Sequence, residues 1–255
     1  MSIVSIITIN FNNVSGLQAT IASVLQQIDF VHEYIIIDGG STDGSKNLLE
    51  QISHPKVHWI SESDKGIYEA MNKGWRKATG TYCLFLNSGD FLYQQDVLQK
   101  VSHYLQGGAD IIYGNLYAFD EKQSWISEFL EPPSLYYFSY YFLPHPSTFF
   151  KKSLLESLDG YKEHYKIISD WLFYVEACIR GASFQHIPLT ISSFYMQGLS
   201  SGSNLGNQEK ERVLAYELRF LKNDFEHFKR LRQFDTSSVT RLAKKLSDLK
   251  IHYFK

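Results

Sequence analysis

Apolar and polar positions follow two periods along the first 115 residues. Residues 3–9 form a continuous apolar run, the pattern of a strand buried on both faces. Across 15–27 the apolar positions Leu17, Ile21, Val24 and Leu25 fall at helical spacing instead. Residues 34–38 (YIIID) repeat the strand pattern, and Ser41, Thr42 and Asp43 then offer an N-cap for a helix through Leu48, Leu49 and Ile52. Residues 57–61 predict a third strand, 66–79 a helix and 81–86 (TYCLFL) a fourth strand. A helix over 96–105 and a strand over 110–113 follow. This order predicts an α/β fold with a mostly parallel sheet flanked by helices.

The second half is less regular. Residues 135–142 (LYYFSYYF) are densely aromatic, LPHP at 143–146 breaks the run, and 147–150 can return to the sheet. A helix is expected over 168–180, a strand over 189–195 and a polar loop over 198–206 (GLSSGSNLG). Two amphipathic helices, at about 209–228 and 238–252, finish the chain. The expected organisation is one domain over 1–206, with a nucleotide-sugar half (1–115) and an acceptor half (116–206), followed by a basic helical extension over 207–255.

Composition narrows the function classes. At 44% hydrophobic and 20% charged, the chain has the makeup of a globular protein, and its net charge of -2 gives no reason to expect a nucleic-acid partner. The charge is unevenly spread: residues 219–255 carry ten Lys/Arg against four Asp/Glu, which is +6 and leaves -8 elsewhere. Cys83 and Cys178 lie far apart in apolar segments, which reads as reduced buried thiols and a cytoplasmic setting.

In doubly wound sheets, ligands bind outside the carboxyl ends of the strands. Three predicted strands end in polar clusters there: Thr8, Asn10 and Asn12; Asp38 with Gly39 and Gly40; and Asn87, Ser88, Gly89 and Asp90. The turn after the first strand, NFNNVSG, lacks the GxGxxG of dinucleotide-binding proteins. It is also neither Gly-rich nor basic enough for a sugar-phosphate nucleotidyltransferase. DGGSTDGS has Gly39 and Ser41 where a calcium loop needs oxygen ligands, so that reading fails too.

TINFNN, IIIDGGSTDGS, GIYEAMNKG and FLNSGD, in this order and spacing, resemble family 2 glycosyltransferases of the GT-A fold over roughly residues 1–200. SESDKGIYEAMNKG and the later SDW and GLSS segments are similar to the bacterial subgroup that builds surface polysaccharide, lipopolysaccharide or capsule. The resemblance implies an inverting, metal-dependent transfer from a nucleotide-diphosphate sugar to a saccharide hydroxyl, with a UDP-sugar as donor. The implied acceptor is a lipid-linked or polysaccharide chain, with the protein peripheral at the inner face of the cytoplasmic membrane.

Residue roles follow from the resemblance. Asp38 accepts uracil N3–H and Thr8 and Asn10 close the pocket, whereas Asp43 caps a helix. A turn-forming Asp before Gly-Gly is the alternative for Asp38. Asp64, Lys65 and Asn72 fall where the family contacts base, ribose and phosphates, while Tyr68, Ala70 and Met71 pack their helix on the sheet. The family's metal motif commonly reads Asp-Ser-Asp-Asp; here Asn87, Ser88 and Gly89 precede a single Asp90. Asp90 is then the ligand for Mn²⁺ or Mg²⁺, aided by phosphate oxygens and water, and Asn87 and Ser88 line the donor. A helix-capping aspartate is the alternative for Asp90.

Asp170, in SDW, is the expected catalytic base, and its place at a helix start predicts a depressed pKa. His145 stands open between a structural role and contact with diphosphate, metal or acceptor. Ser200 and Ser201 could close over the donor phosphates. Tyr136, Tyr137, Tyr140 and Tyr141 fit either an acceptor platform or core packing. The basic tail suits an anionic membrane surface, a partner subunit or a solvated helix pair. The non-enzymatic alternative is a sugar-nucleotide-binding scaffold, which the thinned acid motif would suit.

Overall fold

A computed structural model describes residues 3–130, 132–196 and 205–235. Strands β1 (Val4–Asn10), β2 (Glu33–Asp38) and β3 (Val57–Ser61) pair in parallel, and β4 (Tyr82–Phe85) adds to the other side of β1. Helices α1 (Val14–Leu25), α2 (Ser45–Glu50) and α3 (Ile67–Lys77) connect them. This is the β-α alternation with parallel strands that the sequence pattern predicts.

Period-2 geometry sorts the apolar runs onto two faces. Val4, Ile6, Tyr34 and Ile36 point towards α1, packing with its Leu17, Ile21 and Val24. Ile7, Ile9, Ile35 and Ile37 point the other way, onto Tyr68, Met71 and Trp75 of α3. Both faces are covered, so the strands carry few interior polar residues.

Beyond β4 the sheet changes character. A two-residue strand, β5 (Phe91–Leu92), and helix α4 (Val97–Val101) precede β6 (Ile111–Phe119), which forms a hairpin with β7 (Ser124–Ser127). Helix α5 (Leu135–Tyr140), strand β8 (Thr148–Lys151), helices α6 (Lys152–Ser157) and α7 (Ser169–Ile179) and strand β9 (Phe184–Tyr195) follow. The order across the sheet is β3-β2-β1-β4-β8-β6-β9-β5, with β7 on β6. β8 runs antiparallel to both neighbours, while β6 and β9 are parallel. The parallel character is therefore strongest in the first half.

The expected helix over 209–228 is two: α8 (Leu205–Ala215) and α9 (Lys222–Asp235), separated by a 3-10 turn at Arg219–Leu221. Their apolar side is already committed to the protein. Val213, Leu214, Leu218, Leu221 and Phe225 are buried with α5 and α7, and Phe225 packs edge-on against Trp171. The helix expected over 238–252 lies outside the described residues. Among the described residues no helix is long and apolar enough to cross a membrane.

Candidate functional site

The carboxyl ends of β1 and β2 form the first part of the site. Asp38 is fully buried, and its carboxylate accepts hydrogen bonds from Asn10 Nδ2 (2.7 Å), Ser41 Oγ (2.5 Å), Ser41 N (3.0 Å) and Ser61 Oγ (2.7 Å). Burial alone would push this carboxyl up, but donors from Ser41, Ser61 and Asn10 override it and hold it below the ordinary aspartate range. The lone pairs of Asp38 are thus spent on organising its neighbours. Asn10 Oδ1 is the reverse case, a buried oxygen with no hydrogen-bond partner among the described residues. Thr8 is fully buried with its hydroxyl bonded to Tyr34 at 2.9 Å, which turns it into the core and away from the expected pocket.

Beside this pair, Phe11 is 65% exposed, an unusual position for a large aromatic ring. A Cβ added to Gly39 would meet Asp64 Oδ2 at 2.7 Å and the Phe11 ring at 3.2 Å, so glycine is what allows these groups to converge. Burial raises the Asp64 carboxyl, partly offset by the Gly66 N–H, which donates to Asp64 Oδ1 at 3.1 Å. Lys65 is exposed, and its backbone N–H donates to Glu69. Phe11, Asn10, Gly39 and Asp64 make a ring face edged by polar acceptors, suited to a planar heterocycle.

Asp43 plays the capping part expected of it. Its carboxylate accepts from Val14 N (2.7 Å), at the start of α1, and from Ser45 N (3.0 Å), at the start of α2.

The turn 87–90 forms the second part. Asp90 is 5% exposed, and burial pushes its carboxyl up to about 7. Among the described residues its carboxylate takes one hydrogen bond, a 3.2 Å contact from the Asn87 N–H, and Asn87 Oδ1 in the same turn is buried without a partner. A poorly compensated carboxylate next to an orphaned amide oxygen is a hard-oxygen donor set, which fits a divalent cation completed by ligand oxygens. Among the described residues no three acid, His or Cys side chains cluster as a protein-only metal site.

Helix α1 fixes this turn. Thr20 Oγ1 accepts from Gly89 N (2.9 Å) and lies 2.7 Å from the Asp90 carbonyl, and Asn13 Nδ2 donates to the Ser88 carbonyl at 2.9 Å. Neither Thr20 nor Asn13 stood out in the sequence, where both look like ordinary helix residues. The signal was faint: Asn13 stands three residues before Gly16, whose N–H it caps.

Asp170 opens α7, and its carboxylate accepts from Trp171 N (2.9 Å) and Tyr68 OH (3.1 Å). Its pKa is raised, contrary to the expectation from the helix dipole. Burial is the largest influence and outweighs the donors from Trp171 and Tyr68. Tyr68 does more than pack its helix, since it lies in the first turn of α3, one turn after Asp64. Helix α3 therefore reaches Asp170 through Tyr68, while the loop leading into it carries Asp64.

Two predicted site residues turn out to be committed elsewhere. Asn72 is buried, and its amide donates to Tyr161 O and Glu163 Oε1 and accepts from Trp75 Nε1 and Tyr161 N, at 2.8–2.9 Å. It clamps the 160–163 loop to α3, with every hydrogen-bonding position used. His145 is enclosed by Phe85, Phe150 and Tyr161, with Nε2 bonded to the Tyr161 hydroxyl at 2.8 Å. Burial lowers its pKa to about 3, so it is a neutral ring, and its Nδ1 has no partner among the described residues.

Tyr137 is buried and Tyr136 packs edge-on against Phe228 of α9, so this part of the aromatic cluster belongs to the core. Tyr141 remains 39% exposed. Ser200 and Ser201 lie outside the described residues.

The description "Glycosyl transferase family 2" matches residues 5–178. A PGL/p-HBAD biosynthesis glycosyltransferase of Mycobacterium bovis is 28% identical over 176 residues, covering 67% of this chain and 68% of the relative. A glycosyltransferase of Mycobacterium tuberculosis is 34% identical over 185 residues, 69% of each chain. Among solved structures, S. aureus TarS 1–349 in complex with UDP aligns at a TM-score of 0.66 and 17% identity, over 93% of this chain and 73% of that one. In another TarS 1–349 structure the match spans 60% of that chain. The mannosyltransferase PcManGT of Pyrobaculum calidifontis, in complex with GDP-Man and Mn2+, aligns at 0.61 and 14% identity, over 99% and 81%. These structures share the GT-A fold with this protein. Read with the polar strand ends and the NSGD turn, the match over residues 5–178 makes this chain a member of glycosyltransferase family 2.

Proposed function

We propose that the protein transfers a sugar, with inversion, from UDP to a hydroxyl of a saccharide acceptor. The observation that carries this reading is the set of groups gathered at the strand ends. An exposed ring with polar neighbours (Phe11, Asn10, Asp64) stands at the ends of β1–β3, and after β4 comes a turn holding a poorly compensated carboxylate and an orphaned oxygen (Asp90, Asn87). A nucleoside diphosphate has the matching parts, a flat base at one end and concentrated negative charge at the other. The UDP and GDP-Man in the TarS and PcManGT structures support the donor class.

In this reading the base stacks on Phe11. Asp38 fixes the Asn10 amide through its 2.7 Å bond, leaving Oδ1 to accept the N3–H of uracil. Asp90 and Asn87, flanked by Ser88, would hold Mn²⁺ or Mg²⁺, which when bound neutralises charge on the departing diphosphate. Lys65, exposed beside Asp64, would supply positive charge to the donor phosphates. Asp170 takes the proton from the acceptor hydroxyl as that oxygen attacks the anomeric carbon. The bond to the diphosphate breaks on the opposite side, and the nucleotide leaves with the electron pair. Burial makes Asp170 a stronger base than an exposed aspartate.

The motifs shared with surface-polysaccharide enzymes support a lipid-linked or polysaccharide acceptor. The +6 charge of residues 219–255 suits placement against an anionic membrane face.

Calorimetric titration with UDP, GDP and dTDP, each with Mn²⁺ and with chelator, tests the proposal. UDP-selective binding that weakens without metal and in Asp90→Ala is the expected result. Binding to none of the three would count against a nucleotide-sugar donor, and UDP binding without turnover of any UDP-sugar would leave the sugar-nucleotide-binding scaffold as the better reading.

A further inference from the structure

Asp170 follows a short segment, 166–168, whose backbone is held from two directions. Helix α7 has Ile168 at its N-cap position and no side-chain cap of its own. The segment leading into it presents consecutive backbone N–H groups that need acceptors. Glu209 of α8 fills that need from outside. It is 6% exposed and accepts from Lys166 N (2.8 Å), Ile167 N (3.0 Å) and Ile168 N (3.3 Å). From the opposite side, Tyr68 of α3 lies 2.5 Å from the Ile167 carbonyl and 3.1 Å from Asp170 Oδ1. Three consecutive peptide units are thus gripped by a buried carboxylate and a buried phenol from two separate parts of the chain.

We propose that Glu209 and Tyr68 are positioning residues that together fix the 166–170 turn and so set where Asp170 presents its carboxyl group. The proposal rests on the reading of Asp170 as the base. It also gives the C-terminal extension a part in the acceptor side of the site. Neighbouring contacts agree with this: Glu217, on the turn after α8, receives hydrogen bonds from Tyr165 and His164, and Lys210 Nζ lies 4.5 Å above the Trp171 ring.

Tyr68 has one hydrogen for two acceptors. When Asp170 is neutral, the Ile167 carbonyl is the nearer acceptor; when Asp170 is ionised, donation to the carboxylate gains strength. Removing the phenol hydroxyl therefore disfavours the charged form. Among the described residues, two further phenols feel the Asp170 charge: Tyr161, from the preceding loop, and Tyr174, one turn further along α7. Both are neutral phenols at ordinary pH, so they leave Tyr68 as the hydroxyl that bonds the carboxylate directly.

The test is ¹³C titration of the Asp170 carboxyl in the full chain, assigned with Asp170→Asn, together with amide hydrogen exchange. In Tyr68→Phe the midpoint should rise by about half a unit to one unit. In Glu209→Gln the amides of 166–168 should exchange about tenfold faster, and the Asp170 midpoint should move. An unchanged midpoint in both variants, with unchanged exchange, overturns the proposal. If Glu209→Gln does not fold, wild-type exchange decides: the 166–168 amides and those of α8 should open together, and independent opening overturns it. The base reading fails separately, if Asp170→Asn still turns over a UDP-sugar.

Discussion

Replacing Asn72 with alanine separates a donor contact from a structural clamp. The side chain is 1% exposed, and its removal strands Tyr161 N–H, Tyr161 C=O and Trp75 Nε1–H at once. Each buried polar group left alone costs about 1–3 kcal/mol, but the losses are not additive because water can enter the space. A total of roughly 3–5 kcal/mol is expected. In a domain of this size each kcal/mol lowers Tm by about 2–4 °C, so the fall should be on the order of 10 °C. Asn72→Asp should be similarly harmful. It keeps acceptors for Trp75 and Tyr161 N–H but sets charge against the Tyr161 carbonyl and Glu163, which the amide now bonds. Calorimetric melting gives the stability, and UDP titration well below the transition gives donor affinity. Destabilisation with unchanged UDP affinity is the expected pair of results. A loss under about 1 kcal/mol, or normal stability with lost UDP affinity, would refute the clamp and return Asn72 to the donor site.

Phe11→Ala should weaken UDP binding by about 5- to 150-fold, since stacking on one aromatic ring is worth about 1–3 kcal/mol per base; unchanged affinity would remove Phe11 from the pocket. Asp90→Asn should abolish the difference in UDP affinity between Mn²⁺ and chelator, whereas a surviving metal response would place the cation elsewhere. Gly160→Ala should cost about 2–4 kcal/mol in melting experiments, because φ is +64° and the new Cβ would meet Asn72 Oδ1 and Trp75 Nε1 at 2.4 Å. Glu33 accepts from Ser5 Oγ and from Thr79 N–H and hydroxyl; burial opposes these donors but they prevail, so its pKa lies below the ordinary 4.5. The stability it contributes is present above that value and lost as pH falls through the folded-state pKa, so Glu33→Gln should flatten the acid side of the stability profile.

The sequence alone determined the parallel half of the sheet, because double-sided burial leaves a local signature: mostly apolar runs of strand length, separated by helical spacing. It also placed Asp38, Asn87 and Asp90 correctly at strand ends, since a parallel sheet gathers its polar tails at one edge. The antiparallel half was harder to read. β7 is short and exposed, β6 and β9 run past their apolar cores, and pairings such as β8 between β4 and β6 leave no periodic trace. Side-chain roles diverged most where they depend on a distant partner. Thr8 and Asn72 had suitable chemistry in the sequence, but Tyr34 and Tyr161 claim it in the fold. The dipole argument for Asp170 used only its own helix, whereas burial beneath other elements reversed the sign of its shift. Glu209 shows the same limit from the other side. In sequence it is one acid on an amphipathic helix, and only the approach of α8 to 166–168 sets its carboxylate against three backbone N–H groups. Periodicity is a local property that the chain carries with it, while burial and hydrogen-bond partnership arise only when distant segments meet.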